Sequence, residues 1–452
     1  MRHLSRATQL RGQRRFVAAM YLNPMGAGLT IGPLIALLAL HYGAGDLTLA
    51  LLFAAPHLSG FAAVLGPRLL AGLDTSRIIS GVWLWRALVG LGYLLLPLIP
   101  TDEHKILLLL ATCYGFMFLR AFGVTAFTPV LKALTRPGEL TAFAAQTQVC
   151  WQVGTLGSTV LSYLVLSQVE RWPTTEQAYL SLLAVGFVFN LGTGLLLRRL
   201  PPTGTMDGGG FRSVAWALRR VAGDASHRTV IWISIVQVVQ MVAAGYQLAY
   251  LKNVLQLGDD TVFALTLGSV IAAVLSTRLL GMVGDSISRR ALLVGTHTLL
   301  LLAGICWLLI DRLQPPVHGM AAGALFIAAT ALIANAAALQ AGLATAQLPE
   351  RHRMQISLVY QLGTVLGALL GIGLINGAGS LLPNAATDGY VHSFLLLIAC
   401  SVSLCLLGLR VTGAGAEPLL RDLAQLTPAN VIALLRLHRL DQQDDGGMAN
   451  MR

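Results

Sequence analysis

The sequence predicts an all-α integral membrane protein in which twelve transmembrane helices form two parallel six-helix bundles. Three observations support this prediction: the composition, the number of long apolar segments, and an internal repeat. Of the 452 residues, 55% are hydrophobic and 11% are charged, and the mean hydropathy is +0.70. These values lie outside the range of soluble domains and are typical of membrane proteins.

Twelve segments are long and apolar enough to cross a hydrocarbon core of about 30 Å. They cover residues 16–40, 47–70, 79–100, 106–131, 141–166, 178–197, 229–250, 261–283, 291–310, 319–346, 354–378 and 392–410. An even number of crossings in each half places both halves in the same orientation.

Three short segments of the first half return in the second half, in the same order and about 210 residues later. The pairs are 68–77 with 278–289, 137–139 with 349–350, and 151–155 with 360–364. One such match is weak, because short apolar segments recur by chance, but three in order indicate a duplication. Parallel repeats are one architecture of secondary transporters, in which the substrate site lies between the repeats.

The distribution of Lys and Arg predicts the orientation of the chain. With a cytoplasmic N-terminus, all but six of the 31 basic residues lie on the N-terminal arm, the inner loops and the tail. The exceptions are Lys105, Arg171, Lys252 and Arg312 on outer loops, and Arg86 and Arg120 within spans. The positive-inside rule therefore predicts a multi-pass protein of the cell (inner) membrane with both termini in the cytoplasm. The net charge of +11 is then explained by loops that face anionic lipid, and no nucleic-acid partner is expected.

The predicted organisation has five parts. They are a basic cytoplasmic arm (1–15), an N-terminal bundle (16–197), a cytoplasmic central loop (198–228), a C-terminal bundle (229–410) and a cytoplasmic tail (411–452). Leucines at helical spacing within the tail, between Glu417 and Leu440, indicate an interfacial helix, and a solvated, partly disordered tail is the alternative.

No motif in the spans indicates enzyme or cofactor chemistry. The five cysteines all fall within spans, lack metal-ligand spacing with a histidine, and are predicted to be packing residues. His-Glu-x-x-His and Gly-x-Ser-x-Gly motifs do not occur there. We therefore expect no enzyme activity, no cofactor and no metal, and a monomer whose partners are the lipid bilayer and a small-molecule substrate.

The segment from Gly281 to Arg290 resembles the signature loop of the major facilitator superfamily. It contains Gly281, Asp285 four residues later, a small residue, and a basic pair, with Ser288 where the family usually has Gly. A degraded copy in the first half retains Asp74 with altered spacing. The resemblance implies a latch that closes the cytoplasmic side, and the alternative is a solvated turn that obeys the positive-inside rule. The predicted gating residues are Gly281, Asp285, Arg289, Arg290, Asp74 and Arg77.

Inside the spans the polar residues are amides and hydroxyls. All 20 carboxylates can be placed at span ends or in loops, which disfavours proton coupling through a buried acid. His57, in the second span, is expected to be a packed helix residue rather than a coupling site. The first span is interrupted by Asn23-Pro24, Gly26, Gly28, Gly32 and Pro33. Such breaks indicate a binding site or a bending point.

The resemblance implies that spans 1, 4, 7 and 10 line a central cavity, which favours the Gln237 face and Asn335 as substrate-facing. The repeated pair Gln152 and Gln361 can equally line the cavity or hold helices together by hydrogen bonds. The predicted substrate-binding residues are Arg120, Asn23, Gln237, Gln240, Asn335, Gln152 and Gln361.

Arg120 supports the sharpest hypothesis. It lies about 22 Å from Lys105 and about 18 Å from Lys132 along a helix that rises 1.5 Å per residue, so it falls close to the bilayer midplane. A charge at that depth is costly unless it meets a partner or a wet cavity. The partner is predicted to be an anionic substrate, and the competing hypothesis is a structural clamp to helix carbonyls and water. Arg86, in contrast, is expected to reach the headgroups from the inner end of span 3.

These observations predict a secondary active or facilitative transporter of a small solute, an organic or phosphate-like anion, working by alternating access. The alternative is a multidrug or metabolite efflux pump. A non-transporting receptor or scaffold built on a transporter fold is the alternative from another functional class.

Overall fold

The structure is a computed structural model and describes residues 5–136, 139–206, 211–283, 289–347, 353–381 and 388–410. Within these ranges the chain forms fifteen α-helices, three short 3₁₀ segments and one isolated bridge between Asp74 and Thr205. Twelve helical segments of the described residues are long and apolar enough to cross a membrane. The predicted fold class is confirmed.

Six crossings come from the first half. They are α1 (Arg6–Thr30) with α2 (Pro33–His41), α3 (Asp46–Leu58) with α4 (Gly60–Leu69), α5 (Thr75–Gly90) with the 3₁₀ segment Leu91–Leu98, α6 (Asp102–Leu134), α7 (Leu140–Leu166) and α8 (Thr175–Arg198). A connecting helix, α9 (Phe211–Gly223), leads to the second half. The second six crossings are α10 (Ala225–Asn253), α11 (Asp259–Val283), α12 (Arg289–Leu309), α13 (Pro315–Gln347), α14 (Arg353–Leu381) and α15 (Asp388–Arg410).

Of the predicted breaks in the first crossing, the structure has the one at Gly32 and Pro33. Pro24 remains inside α1, whereas Gly32 adopts a φ of +76°, which an L side chain rarely takes. Pro33 then starts α2 at the position where its missing N–H costs nothing.

The predicted N-terminal arm is helical from Arg6 and continues into the first crossing. Ser5 caps α1, and the Arg6 guanidinium lies 2.8 Å from a carboxylate oxygen of Glu139 at the start of α7. The hydrogen bond from Arg6 lowers the pKa of the Glu139 carboxyl below its ordinary value. Gln13 donates to the backbone carbonyl of Leu134 at the end of α6, at 2.8 Å. The arm is thus attached to the end of α6 and the start of α7, two helices of its own half.

Glycines allow corresponding pairs of helices to approach closely in the two halves. A Cβ atom built on Gly154 of α7 would lie 2.5 Å from the carbonyl oxygen of Tyr21 in α1. A Cβ atom built on Gly367 of α14 would lie 2.5 Å from the carbonyl oxygen of Ile235 in α10. Small residues permit such close backbone approach between membrane helices. The first crossing meets the fifth in the first half as the seventh meets the eleventh in the second.

Among the described residues, one hydrophobic cluster contains side chains of both halves, and it lies at the predicted outer end. Its buried members include Leu34 to Ala39, Leu49, Ala50, Leu52, Ala54, Ala55, Tyr179, Leu182, Leu183, Val238, Val242, Tyr246 and Leu248 to Leu251. At the predicted inner end, the clusters of described residues belong either to the first half or to the second half with α9. The described core therefore joins the halves at the outer end.

Candidate functional site

One side of α6 changes from buried to exposed halfway along the helix, and Arg120 lies at the change. Cys113, Met117, Arg120, Val124 and Thr128 recur every three or four residues and so share one side of the helix. Cys113 and Met117, toward the outer end, are 3% and 2% exposed and belong to the cluster that joins the halves. Val124 is 46% exposed, Thr128 is exposed, and Arg120 is half-buried. This side of α6, the α6 stripe, is covered by other residues at the predicted outer end and uncovered toward the predicted inner end.

The Arg120 guanidinium forms no hydrogen bond or ion pair with any residue that the structure describes. His57 lies at the same level. The Tyr114 hydroxyl of α6 donates to the carbonyl of Leu51 in α3 at 2.9 Å, and both helices run in the same direction. Arg120 follows Tyr114 by six residues, and His57 follows Leu51 by six. Both therefore lie about 9 Å further along their helices. An imidazole carries no negative charge, so His57 offers Arg120 no counter-charge.

Arg86 does not reach the headgroups, and that prediction is wrong. Its side chain is 0% exposed and lies inside the first half. Its Nη2 donates to the side-chain oxygen of Asn190 at 2.8 Å and to that of Asn23. Its Cζ stands 4.8 Å from the ring centroid of Trp83 and 4.5 Å from that of Phe116. Two amides and two aromatic rings supply contacts that turn the side chain inward.

Asn23 belongs to the same cluster. It is 2% exposed, and its side-chain oxygen also accepts a hydrogen bond of 2.9 Å from the Trp83 indole. The structure therefore places this predicted substrate-binding residue beside Arg86, in the interior of the first half.

The predicted glutamines of α10 are covered in this conformation. Gln237 is 1% exposed, and neither of its amide atoms has a partner among the described residues. Gln240 is 0% exposed and donates to the Ser401 hydroxyl of α15 at 2.8 Å, which leaves its oxygen without a described partner. Asn335 is engaged between helices, since it accepts from Thr277 at 2.9 Å and from Ser276 at 3.3 Å, both in α11.

Gln152 and Gln361 occupy the corresponding fifth and eleventh crossings, and both are half-buried. A Cβ atom built on Gly60 would lie 3.2 Å from the Oε1 atom of Gln361, so this side chain reaches α4 of the other half. Gln361 thus lies at the seam between the halves.

The structure describes only some of the predicted gating residues. Asp285 and the side chain of Arg289 lie outside the described residues, while Gly281 is in the last turn of α11 and Arg290 donates to the carbonyl of Leu409. In the first half, Asp74 caps α5 and accepts from the backbone N–H of Ser76 and Arg77, whose own side chain is exposed. Its other oxygen accepts from the N–H groups of Thr203 and Gly204 at 3.1 Å each. Asp74 therefore ties the start of the central loop to the first half.

Polar contacts at the predicted outer end were not predicted from the sequence. Tyr179 of α8 donates to Asp259 of α11, which also forms an ion pair with Lys252. The Tyr246 hydroxyl of α10 donates to the backbone carbonyl of Asp46 in α3 at 2.6 Å. The signal was present as acidic residues in the first turns of α3 and α11, where the helix dipole favours them, but their partners lie far away in sequence.

Every Asp and Glu in the described part of the chain lies at a helix N-cap, in a first helical turn, or in a short loop segment. Among these residues the expectation that no carboxylate lies deep within a span is confirmed. The interior of the first half consequently holds Arg86 and Arg120 without a described acidic partner.

The fold is similar to those of solved membrane transporters. The chain aligns with the peptide transporter POT in complex with alafosfalin at a TM-score of 0.65 and 12% identity, over 90% of this chain and 99% of that one. It aligns with a mutant of the nucleoside transporter NupG at 0.64 and 12% identity, over 88% and 99% of the two chains. A bacterial homologue of the human lysosomal transporter Spinster, inward-facing and unoccupied, aligns at 0.62 and 15% identity, over 93% and 99%.

No model of a protein family matches the sequence, and no curated protein sequence matches it. At identities this low, the structural similarity shows a shared fold and does not identify the substrate. The twelve crossings, the two six-helix halves and these alignments together show that the chain shares the twelve-helix fold of these solved transporters.

Proposed function

We propose that the protein is a secondary transporter that moves a small organic or phosphate-like anion across the membrane by alternating access. The observation that carries the proposal is Arg120. It is an arginine near mid-membrane without a described partner, at the point where the α6 stripe becomes accessible. Arginine keeps its proton under these conditions, so an anion is its natural counter-charge.

Alternating access is supported by the distribution of the core. The halves share a hydrophobic cluster at the predicted outer end, while the α6 stripe is accessible toward the inner end. This arrangement corresponds to an inward-facing state of a protein in the inner membrane with cytoplasmic termini. Outward opening would then require the separation of the outer cluster and its polar contacts.

We propose that transport occurs by facilitated diffusion or by exchange, without coupling to a proton. A buried carboxylate is the usual proton carrier in coupled transporters, and the described carboxylates lie at helix starts or in loops. Such transport involves no chemical reaction, and the ligand of the protein is the transported solute.

Transport by purified protein in lipid vesicles tests the proposal. Uptake and counterflow would be measured for matched anionic, neutral and cationic solutes, with wild type, Arg120→Gln and Arg120→Lys. We expect uptake of anions, near-complete loss in Arg120→Gln, and partial retention in Arg120→Lys, because lysine keeps the charge but loses the bidentate geometry. Lys132→Gln removes an exposed charge from the inner end of the same helix and is the matched control.

Two results would contradict the proposal. Transport of neutral or cationic solutes that Arg120→Gln leaves unchanged would favour the efflux alternative and make Arg120 a structural clamp. Absence of transport for all three classes, with ligand binding retained, would favour a receptor or scaffold.

A further inference from the structure

We propose that Arg86 and Arg120 form one anion site and that this site prefers a compact group with two negative charges, of the phosphate-monoester kind. This inference rests on the proposed function and names the chemical class of its substrate. Arg86 then acts as the second cation of the site, besides holding Asn23 and Asn190.

The two arginines lie at the same depth on neighbouring helices. Helices α5 and α6 run antiparallel, and Trp83 packs so closely on Gly123 that a Cβ atom there would collide with the indole ring. Arg86 follows Trp83 by three residues in α5, and Arg120 precedes Gly123 by three residues in α6. Because the helices are antiparallel, both steps lead to the same depth. The guanidinium of Arg86 lies over Phe116, one turn before Arg120 in the same helix.

The charge of Arg86 is incompletely satisfied. Its Nε and Nη1 atoms are buried and have no partner among the described residues. Its Nη2 bonds to neutral amides only, and its two stacked neighbours are aromatic rings. Arg120, at the same depth on the neighbouring helix, adds a second positive charge. A buried charge without a counter-charge is unfavourable, so this pair of cations requires negative charge from elsewhere.

The second half shows that the architecture does not require an arginine at this place. Asn23, Arg86 and Asn190 belong to the first, third and sixth crossings. At a constant separation of 211 residues, the seventh, ninth and twelfth crossings carry Ser234, His297 and Ser401. All three are fully or almost fully buried, and none carries a permanent charge. The second half therefore packs the same location with residues that can be neutral, so the arginine in the first half points to a role beyond packing.

Charge complementarity selects the ligand. A phosphate monoester carries a charge of about −1.5 to −2 at pH 7, because its second pKa is about 6. Two guanidinium groups can neutralise that charge with paired N–H donors. A monoanion would leave one buried positive charge without a counter-charge. The site should therefore discriminate between ligands of equal size that differ by one charge.

Phenyl phosphate and methyl phenyl phosphate are suitable probes, because both carry the same aryl group but two and one negative charges at pH 8. Their affinities would be measured on the purified full-length protein by ligand-dependent thermal stabilisation and by competition in transport. In wild type we expect at least about tenfold tighter binding of the monoester. The preference should shrink as the pH is lowered from 8 to 5, because the monoester then becomes a monoanion.

Variants assign the second charge to Arg86. We expect Arg86→Gln, and Arg86→His, which copies the second half, to bind both probes with the affinity of the diester. Arg86→Lys should retain part of the preference, and Arg120→Gln should lose binding of both probes. His297→Gln changes the corresponding position of the second half and should leave the preference unchanged.

Equal affinity for the two probes in wild type would overturn the inference, as would a preference that persists in Arg86→Gln. If neither Arg86→Gln nor Arg86→His folds, a wild-type preference that does not change with pH overturns it. Binding of both probes that depends on Arg120 without any preference would leave the proposed anion transport intact. Binding of neither probe, with anion uptake unaffected by Arg120→Gln, would overturn both.

Discussion

The Tyr179 hydroxyl donates a hydrogen bond of 2.7 Å to a carboxylate oxygen of Asp259 and thereby joins α8 of the first half to α11 of the second. The other carboxylate oxygen of Asp259 pairs with Lys252. A hydrogen bond to a charged group contributes more than one between neutral groups, about 1.5–3 kcal/mol. This contact is one of the polar bonds that must break before the outer end can open.

Tyr179→Phe should increase the outward-open population, on the order of tenfold, because it removes this bond and keeps the ring. Cys113 reports on opening, since it is buried in the outer cluster on the α6 stripe. With the other four cysteines changed to serine, its reaction with a membrane-impermeant maleimide added outside should accelerate in the variant. Asp102→Asn neutralises an outer-face carboxylate that pairs with Lys105 of its own helix, and it should not change the rate. Equal rates in Tyr179→Phe and wild type would contradict the gating role.

We expect the reactivity of cysteines introduced along the α6 stripe to change abruptly at Arg120. In a cysteine-free background, Val124→Cys should react rapidly with an impermeant maleimide added to inside-out vesicles. Met117→Cys, on the same side of the helix but 2% exposed at the native residue, should react slowly. Similar rates at the two positions would show that the stripe is not the wall of an inward-facing opening.

Close packing between α10 and α14 predicts opposite effects of two alanine substitutions on one helix. Gly367→Ala places a Cβ atom 2.5 Å from the backbone carbonyl of Ile235, which cannot rotate away. We expect a loss of about 1–3 kcal/mol of stability. Gly373→Ala meets no atom within 4 Å and should be neutral or stabilise by up to about 1 kcal/mol, because alanine is the better helix former. Thermal unfolding in detergent measures both, and a Gly367→Ala variant as stable as wild type would refute this packing.

Asp74 predicts the protease resistance of the central loop. Asp74→Ala removes the α5 cap, at about 0.5–2 kcal/mol, and frees the N–H groups of Thr203 and Gly204. Trypsin should then cut more rapidly between 198 and 228. Asp224→Ala removes the cap of α10, where the described bonds of Asp224 go to Ser226 and His227, and serves as the control. Identical cleavage rates in the two variants would contradict the attachment of the loop through Asp74.

Much of the fold was predictable because it follows from hydrophobicity along the chain. The twelve crossings require only apolar length, and the parallel halves follow from the repeat and from the even number of crossings in each half. The depth of Arg120 follows from the rise of a helix between two interfacial lysines. These are local properties, and neighbouring residues suffice to determine them. The tail, 411–452, and Asp285 lie outside the described residues, so the interfacial helix and the second-half latch stay predictions.

The rotation of each helix about its own axis and the partners it meets were decided by the tertiary structure alone. Arg86 was predicted at the headgroups, and its burial depends on Asn190, 104 residues away. Asn23 was predicted to face substrate, and it accepts from Trp83, 60 residues away. Tyr179 and Asp259 belong to different halves, and their bond exists only because the halves close at the outer end. By itself the sequence determined which side chains lie at which depth; only the packing of distant helices decided what each one faces, because contacts between helices depend on three-dimensional fit rather than on local hydrophobicity.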